Sequence, residues 1–433
     1  MSRLDDLAHA LAGLGTRLHD QRLVARPRDV EEVAACVRAA NGAKCSVSVV
    51  GGNHSGYGQT GDLVLEMSNF TEMQREGSCL RVGGGVTLEP LALFAQAQGL
   101  AAPLGTAPTV GLGLVLQGGV GHLTRSRGMS VDSVRALQLV TCTGRVVEVS
   151  GDEEPELFAG AKGCAPNFGV VVSLTLEAAP FRLCASARRV FPASGAALRT
   201  YMAWAASLPN DCSADCCLYF RDESALPGEG DLLMGVYDFN FDAGASGEVP
   251  LEKVLWQTSR ESLGPKELMA HEPYLLEQPE GICKTGCLST RSFFVRACFV
   301  RKDADIADVL VECLEQAPSR HCFVHFQHTG GAVAQSSGVF AAAEWSVVIS
   351  GAWEEKTEAA AAAVRAWVLG IVQRLLPSSS GTYATDLGPQ DDVALAKHSF
   401  EPQRLERLLD LKRKWDPENM FRHGFPLAQL GED

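Results

Sequence analysis

The sequence predicts two domains that mix helix and strand, on three observations. The chain has 433 residues, more than one small core accommodates. Residues 26–50 read as a helix feeding a buried strand, so both element types occur from the start. Beyond Pro180 the pattern changes to strand-like runs alternating with two long helical stretches, and Pro180 marks the expected boundary.

In the first unit Asp29 follows Pro27 as an N-cap candidate, with Glu32 three places on as in a capping box. Val30, Val33, Ala34 and Val37 recur at helical spacing, and Gly42 is the expected stop. Ser46 to Val50 reads as a buried strand. Strands are also expected over 63–67 and over 79–82, the latter running into Gly83-Gly84-Gly85, with a helix over 87–98. Residues 135–149 alternate around Thr143-Gly144 as a hairpin does. A short helix from Pro155 and a strand over 168–176 close this region. The second region carries helices over 303–316 and over the alanine-rich 357–376, and the chain ends in a charged amphipathic helix and tail over 400–426.

Composition narrows the function. The net charge of −14 disfavours nonspecific nucleic-acid binding and anionic membrane surfaces, both of which reward excess Lys and Arg. There is no uninterrupted run of about 18 apolar residues, so no membrane span is expected. The start, Met1-Ser2-Arg3-Leu4-Asp5-Asp6, lacks an apolar core of the secretory kind. The cysteines, including Cys212, Cys216, Cys217, Cys283 and Cys287, form no Cys-x-x-Cys pair, and His271 lacks zinc-site spacing. No metal is expected, and reduced thiols fit a cytoplasmic location.

The chemistry concentrates in glycine-rich segments. Gly51-Gly52-Asn53-His54-Ser55-Gly56-Tyr57-Gly58 follows a β-branched run and carries one histidine. Glycine allows close backbone approach to a ligand, and successive amides of such a turn suit an anion such as a pyrophosphate. A second stretch holds Gly111-Leu112-Gly113 and Gly118-Gly119-Val120-Gly121, whose spacing does not meet the Rossmann fingerprint.

Together these segments resemble the vanillyl-alcohol oxidase, or PCMH-type, flavoproteins, and within them the berberine bridge enzyme-like branch. The resemblance rests on Gly51 to Gly58, on Pro108-Thr109-Val110-Gly111 through Gly121 to Gly128 and Asp132, and on Gly163-Cys164-Ala165-Pro166-Asn167-Phe168-Gly169-Val170-Val171. It also rests on Gly330-Gly331-Ala332 and on Trp415-Asp416-Pro417-Glu418-Asn419-Met420-Phe421-Arg422. It implies an α+β fold: a PCMH-type FAD-binding domain over 1–178, and a substrate domain over 179–390 with an antiparallel sheet backed by helices. A C-terminal segment, 391–433, would return to the FAD domain. It implies FAD held by Gly51, Gly52, Asn53, His54, Ser55, Gly58, Pro108, Thr109, Val110, Gly111, Gly118, Gly119, Val120, Gly121, Asp132, Asn167, Gly169, Val170, Val171 and Phe421. His54 would carry the flavin covalently, the alternative being a loop histidine that only hydrogen-bonds backbone. The second attachment of some members uses a cysteine just before Pro-Thr-Val-Gly; here Ala107 stands there, so a single bond is expected.

The resemblance further implies an oxidase that takes a hydride from a small organic substrate onto flavin N5 and passes the electrons to O2, giving hydrogen peroxide. The proton must go to a base. Where berberine bridge enzyme has a glutamate, counting from Trp353 gives Val348; Glu344 lies four residues away, an offset that would keep the strand face. Tyr383 is the candidate base, with a packed aromatic as the alternative. His325 and Gln327 share a face of a strand in line with His321 and Phe323, and either line the substrate pocket or form a solvated face. Trp204, Trp256, Trp353 and Trp367 are expected in core or interface, and the cations from Arg404 to Lys414 on a solvated helix face. The absent glutamate keeps open a redox-neutral or non-catalytic flavoprotein. Oligomeric state is not readable.

Overall fold

The computed structural model describes residues 3–19, 21–54, 56–180, 184–220, 231–240, 248–249, 287–288, 291–336, 343–355, 357–388 and 393–431. Ser55, Trp256, His271 and Cys283 lie outside the described residues.

The first sheet has the strand order Arg17–His19, Arg22–Ala25, Leu63–Glu66, Val47–Val50. Its last two pairings are parallel, with Leu23 beside Leu63 and Val47 beside Leu63. Parallel neighbours need a crossover, and the helix Val30–Gly42 supplies one. The side chain of Asp29 caps this helix by accepting from the Glu32 amide at 2.9 Å. The expected capping box closes differently: the Glu32 carboxylate accepts from the Arg28 amide and side chain instead of the Asp29 amide. Val33, Ala34, Val37 and Ala40 form the buried stripe.

The second sheet is antiparallel, in the order Met73–Glu76, Cys79–Gly83, Val170–Glu177, Val134–Val140, Val146–Ser150. It contains the expected hairpin and the strand after Asn167. Ala179–Pro180 pairs with Leu100–Ala101 at the edge of this region.

A larger antiparallel sheet is built from nine described strands between Cys184 and Thr382. Its middle strands lie in the order Leu232–Asn240, Cys212–Phe220, Phe323–His328, Trp345–Trp353, Arg291–Val300. The helices Gly195–Ala205, Ala307–Glu315 and Glu358–Leu375 back one face of this sheet. The alanine-rich helix is long and apolar enough to cross a membrane. It nevertheless sets Ala361, Val364, Val368, Ile371, Val372 and Leu375, at three- and four-residue spacing, against the protein interior.

The final helix, Pro402–Trp415, and the chain after it return to the first two sheets. The Val47 amide donates to the Met420 carbonyl, and Met420 and Phe421 join the apolar cluster of Val47, Val170 and Val172. The Arg404–Lys414 run is not wholly solvated: Lys412 is buried in an ion pair with Asp416. Trp204 is among the exposed large apolar side chains, so of its two expected places it is not in the core.

Candidate functional site

Two glycine-rich loops meet back to back. A β-carbon on Gly52 would collide with the Gly111 nitrogen and stand 2.8 Å from the Thr109 carbonyl, and one on Gly111 would collide with Gly52. Neither loop could pack this closely with a side chain at either position. Gly58 is held against the Val49 carbonyl, 3.0 Å from where its β-carbon would be. Asn53 takes a left-handed φ of +57°, a conformation asparagine tolerates better than most residues. Its Oδ1 accepts from Gln59 Nε2 at 3.0 Å. Next to it, His54 Nε2 lies 2.8 Å from Thr109 Oγ1, so the histidine of one loop is fixed by the hydroxyl of the other. Burial pushes the His54 imidazole down to about 4, which leaves it neutral at pH 7.

The segment Gly118 to Gly121 faces the large sheet. Gly118 and Gly119 have φ of +135° and +81°, a region that side chains rarely enter. The Gly119 amide donates to the Tyr383 hydroxyl at 2.6 Å. Burial pushes this phenol up to about 12. A phenol protonated at neutral pH is a poor proton acceptor, so the geometry favours the packed, hydrogen-bonded reading of Tyr383 over the base. The Val120 carbonyl accepts from Gln327 Nε2 at 3.5 Å. A side chain on Gly121 would collide with the Leu104 carbonyl.

Several expected cofactor residues have other duties. Asp132 accepts from the Met129 amide at 2.9 Å and from Ser336 Oγ at 2.8 Å, so its carboxylate ties a turn to the substrate-side chain. Phe421 is a core residue and its amide donates to Asp416. Val170 and Val171 pair with Val140 and Leu139, and Gly169 makes room for the Val140 carbonyl. Asn167 keeps its interest: its carbonyl accepts from Lys412, while its buried Nδ2 has no hydrogen-bond partner among the described residues.

His325 and Gln327 occupy the sheet face opposite the helices. The alternate residues Val324 and Phe326 join the helix-side core. Both His325 and Gln327 are buried, which rules out the solvated-face alternative. Val348 sits directly beside His325 in register. Glu344 precedes the strand that starts at Trp345, and its carboxylate engages Arg125 and His328 at 3.1 Å each. It therefore does not take the Val348 place on the face.

Sequence reasoning missed Asp215 and His122. Asp215 lies in the strand Cys212–Phe220, on the face that carries His325 and Gln327, because Cys217 pairs with His325. Its Oδ2 is 3.1 Å from His122 Nδ1 and 3.8 Å from His325 Nε2, and its Oδ1 accepts the His328 amide at 2.9 Å. The available signal was a lone carboxylate in an otherwise apolar strand, and a histidine directly after Gly121.

These features fit FAD. The loops offer close-packed backbone, a neutral imidazole on the glycine turn, and a buried amide donor at Asn167 that still needs an acceptor. Comparison with known proteins agrees. Residues 21–150 match the FAD binding domain family. The chain is 30% identical to (R)-6-hydroxynicotine oxidase of Paenarthrobacter nicotinovorans, over 98% of this chain and 94% of that protein. Its fold is like that of a variant of Physcomitrella patens berberine bridge enzyme-like protein 1 (TM-score 0.75, 18% identity, 98% and 99% of the two chains). It is also like the xylooligosaccharide oxidase of Myceliophthora thermophila in complex with xylobiose (TM-score 0.76, 19% identity, 98% and 99% covered).

Proposed function

We propose, since this chain belongs to the berberine bridge enzyme-like branch of the PCMH-type flavoproteins and is an FAD-dependent oxidoreductase, that it is an oxidase with covalently held FAD. Its substrate is a small organic molecule, an alcohol, sugar or amine, and O2 receives the electrons as hydrogen peroxide. Relatedness over the full length to a hydroxynicotine oxidase, and likeness in fold to a sugar oxidase, support that substrate range and weigh against a redox-neutral scaffold.

The carrying observation is His54. It stands on the turn of the first glycine loop, neutral, with Nε2 fixed by Thr109 of the second. With Nε2–H donating to Thr109, Nδ1 presents its lone pair as the nucleophile for the flavin 8α carbon. Ala107 offers no second nucleophile. Gly52 and Gly111 let the two loops close on each other, Gly118 and Gly119 let the second loop pack on Tyr383 and Ser130, and Asn167 Nδ2 would supply a buried donor to the cofactor. When bound, FAD supplies the hydride acceptor. The chain's own residues orient it and present the substrate from the face that carries Gln327 and His325.

The test is direct. The purified protein is precipitated in acid and run on a denaturing gel under ultraviolet light; a fluorescent band that disappears in His54→Ala is expected. A flavin released by acid from the wild type refutes the covalent bond, and a colourless protein that takes up no added FAD refutes the whole reading. Anaerobic reduction by 6-hydroxynicotine or xylobiose, followed by air and peroxide detection, tests the oxidase.

A further inference from the structure

We propose that His325 accepts the substrate's proton as the hydride leaves, and that Asp215, braced by His122, stabilises through its charge the imidazolium that His325 becomes. The proposal rests on the oxidoreductase reading above and adds the acid–base half of the reaction.

The geometry comes from three separate elements. The strand Phe323–His328 presents His325 and Gln327 away from the helices. The neighbouring strand places Asp215 on that same face. The loop after Gly121 brings His122, whose ring centroid is 4.0 Å from that of Phe239 and whose Nδ1 is 3.1 Å from Asp215 Oδ2. Asp215 is anchored at its other oxygen by the His328 amide. One carboxylate oxygen thus lies between two imidazoles, with His325 Nε2 at 3.8 Å. That distance is too long for a hydrogen bond and close enough for charge stabilisation.

His325 Nε2 is buried and has no hydrogen-bond partner among the described residues. Leaving such a group unpaired is destabilising, a cost that a ligand donor would remove. Other titratable groups share this face: Tyr237 stands in register with Asp215, and Tyr219 lies two residues beyond Cys217. Across the sheet, Val348 brings no titratable atom. On the other side stands Cys217, in register with His325. Arg125 has spent its guanidinium on Glu344, His328 and the Cys212 and Leu208 carbonyls. Gln327 joins the face to the glycine segment through the Val120 carbonyl. Burial holds His325 at about 4, opposed by the Asp215 charge, so it is neutral and able to accept at pH 7. Burial alone would raise Asp215, but His122, His325 and the His328 amide together outweigh it and keep the carboxyl below its usual range, so it stays ionised.

In the step, the substrate X–H bond breaks and a new N–H bond forms on His325 Nε2. The C–H hydrogen leaves with its electron pair to the flavin, and the X–C bond gains that order. Substrate loses two electrons, FAD gains them, and O2 later takes them. The imidazolium returns its proton to solvent or to the forming peroxide. The arrangement shares with a catalytic triad only the buried carboxylate that stabilises an imidazolium, here by charge at 3.8 Å and not by a hydrogen bond.

The test uses the FAD-loaded full chain with 15N-labelled histidines. His325, assigned by loss of its signal in His325→Gln, titrates in the wild type, and its midpoint falls by one pH unit or more in Asp215→Asn. Asp215→Glu restores most of the shift. A midpoint unchanged by Asp215→Asn overturns the proposal whatever the substrate is. In the second arm, flavin reduction by 6-hydroxynicotine and by xylobiose is followed anaerobically across pH. His325→Gln lowers the reduction rate about 100-fold or more with KM within a few-fold, and Asp215→Asn about 10-fold with a displaced acid limb. Wild-type reduction rates in His325→Gln overturn the proton-acceptor role. Flavin retention and circular dichroism show that each variant is folded. If FAD is retained but neither probe reduces the wild type, the substrate class falls, and the titration arm still decides the Asp215–His325 relationship.

Discussion

The Tyr383 hydroxyl accepts the Gly119 amide at 2.6 Å, and the Tyr383 ring fills the space a side chain on Gly118 would need. The Tyr383 amide donates to Ala297, and its ring meets Phe299 edge-on at 5.2 Å, so this residue fastens the glycine turn to the large sheet. Tyr383→Phe leaves a buried amide without its acceptor, which costs about 1–3 kcal/mol of stability. Because the phenol is protonated, flavin reduction in the variant slows by less than about 10-fold, whereas loss of a general base costs 100-fold or more. Anaerobic stopped-flow reduction and urea unfolding measure both. A 100-fold slowing would return the base to Tyr383.

The contact of Gly52 with Gly111 yields a second prediction. Gly52→Ala places a methyl group into the backbone of the other loop, where nothing flexible can yield. The expected cost is about 3 kcal/mol or more, with loss of FAD on gel filtration. Gly113→Ala is the control, since its β-carbon would meet nothing within 4 Å in a helical turn; its FAD content stays at the wild-type level.

Much of this architecture was legible because its signals are local. Asp29 with Glu32 marked the start of Val30–Gly42, and alternation around Thr143-Gly144 marked the hairpin of Val134–Val140 with Val146–Ser150. The glycine motifs were readable as motifs, but not which neighbour demanded each glycine: that Gly52 needs its form for Gly111, and Gly118 for Tyr383, is a tertiary fact. The Asp215–His122 pair was invisible for the same reason, since antiparallel pairing and a loop bring together residues with no common sequence pattern. Parity misled at Glu344, because the strand begins one residue later and Arg125 and His328 draw the carboxylate away. Asp132 and Phe421 lie within readable motifs and serve the scaffold, a cap and a core side chain respectively.

Stability should have a plateau bounded by groups with displaced protonation. Burial pushes His54, His325 and His423 each down to about 4. The unfolded chain protonates them near pH 6.5. Their contribution is therefore complete above about 6.5 and declines as pH falls toward 4, because the unfolded state takes up protons the folded state refuses. Attachment of flavin at His54 removes that residue from the set and leaves the other two. On the alkaline side burial pushes the Cys36 and Cys322 thiols up to about 11. Unfolded thiols ionise from about 8.5, so stability declines above that pH. Urea midpoints of the FAD-loaded protein from pH 4.5 to 10 should show the plateau. A midpoint flat from pH 6.5 to 4.5 would mean that these imidazoles are solvated in solution.

The C-terminal segment is locked by one buried lysine. Lys412 Nζ has three acceptors for its three protons: Asp416 Oδ2 at 2.5 Å, the Asn167 carbonyl at 2.9 Å and the Phe421 carbonyl at 3.1 Å. Asp416 in turn accepts the amides of Met420 and Phe421 at 2.8 Å each. The network ties the last helix both to the tail and to the segment that carries Asn167, whose Nδ2 has no hydrogen-bond partner among the described residues. Lys412→Met strands a buried carboxylate and costs about 3–5 kcal/mol, and release of Asn167 loosens FAD. Adding Asp416→Asn to Lys412→Met removes the stranded charge, so the double variant is more stable than the single. Urea unfolding, with limited proteolysis of the tail and FAD release rates, follows all three. A single variant that unfolds with the wild type, or a double variant no better than the single, would show that the pair is solvated and that Met420 and Phe421 packing alone holds the tail.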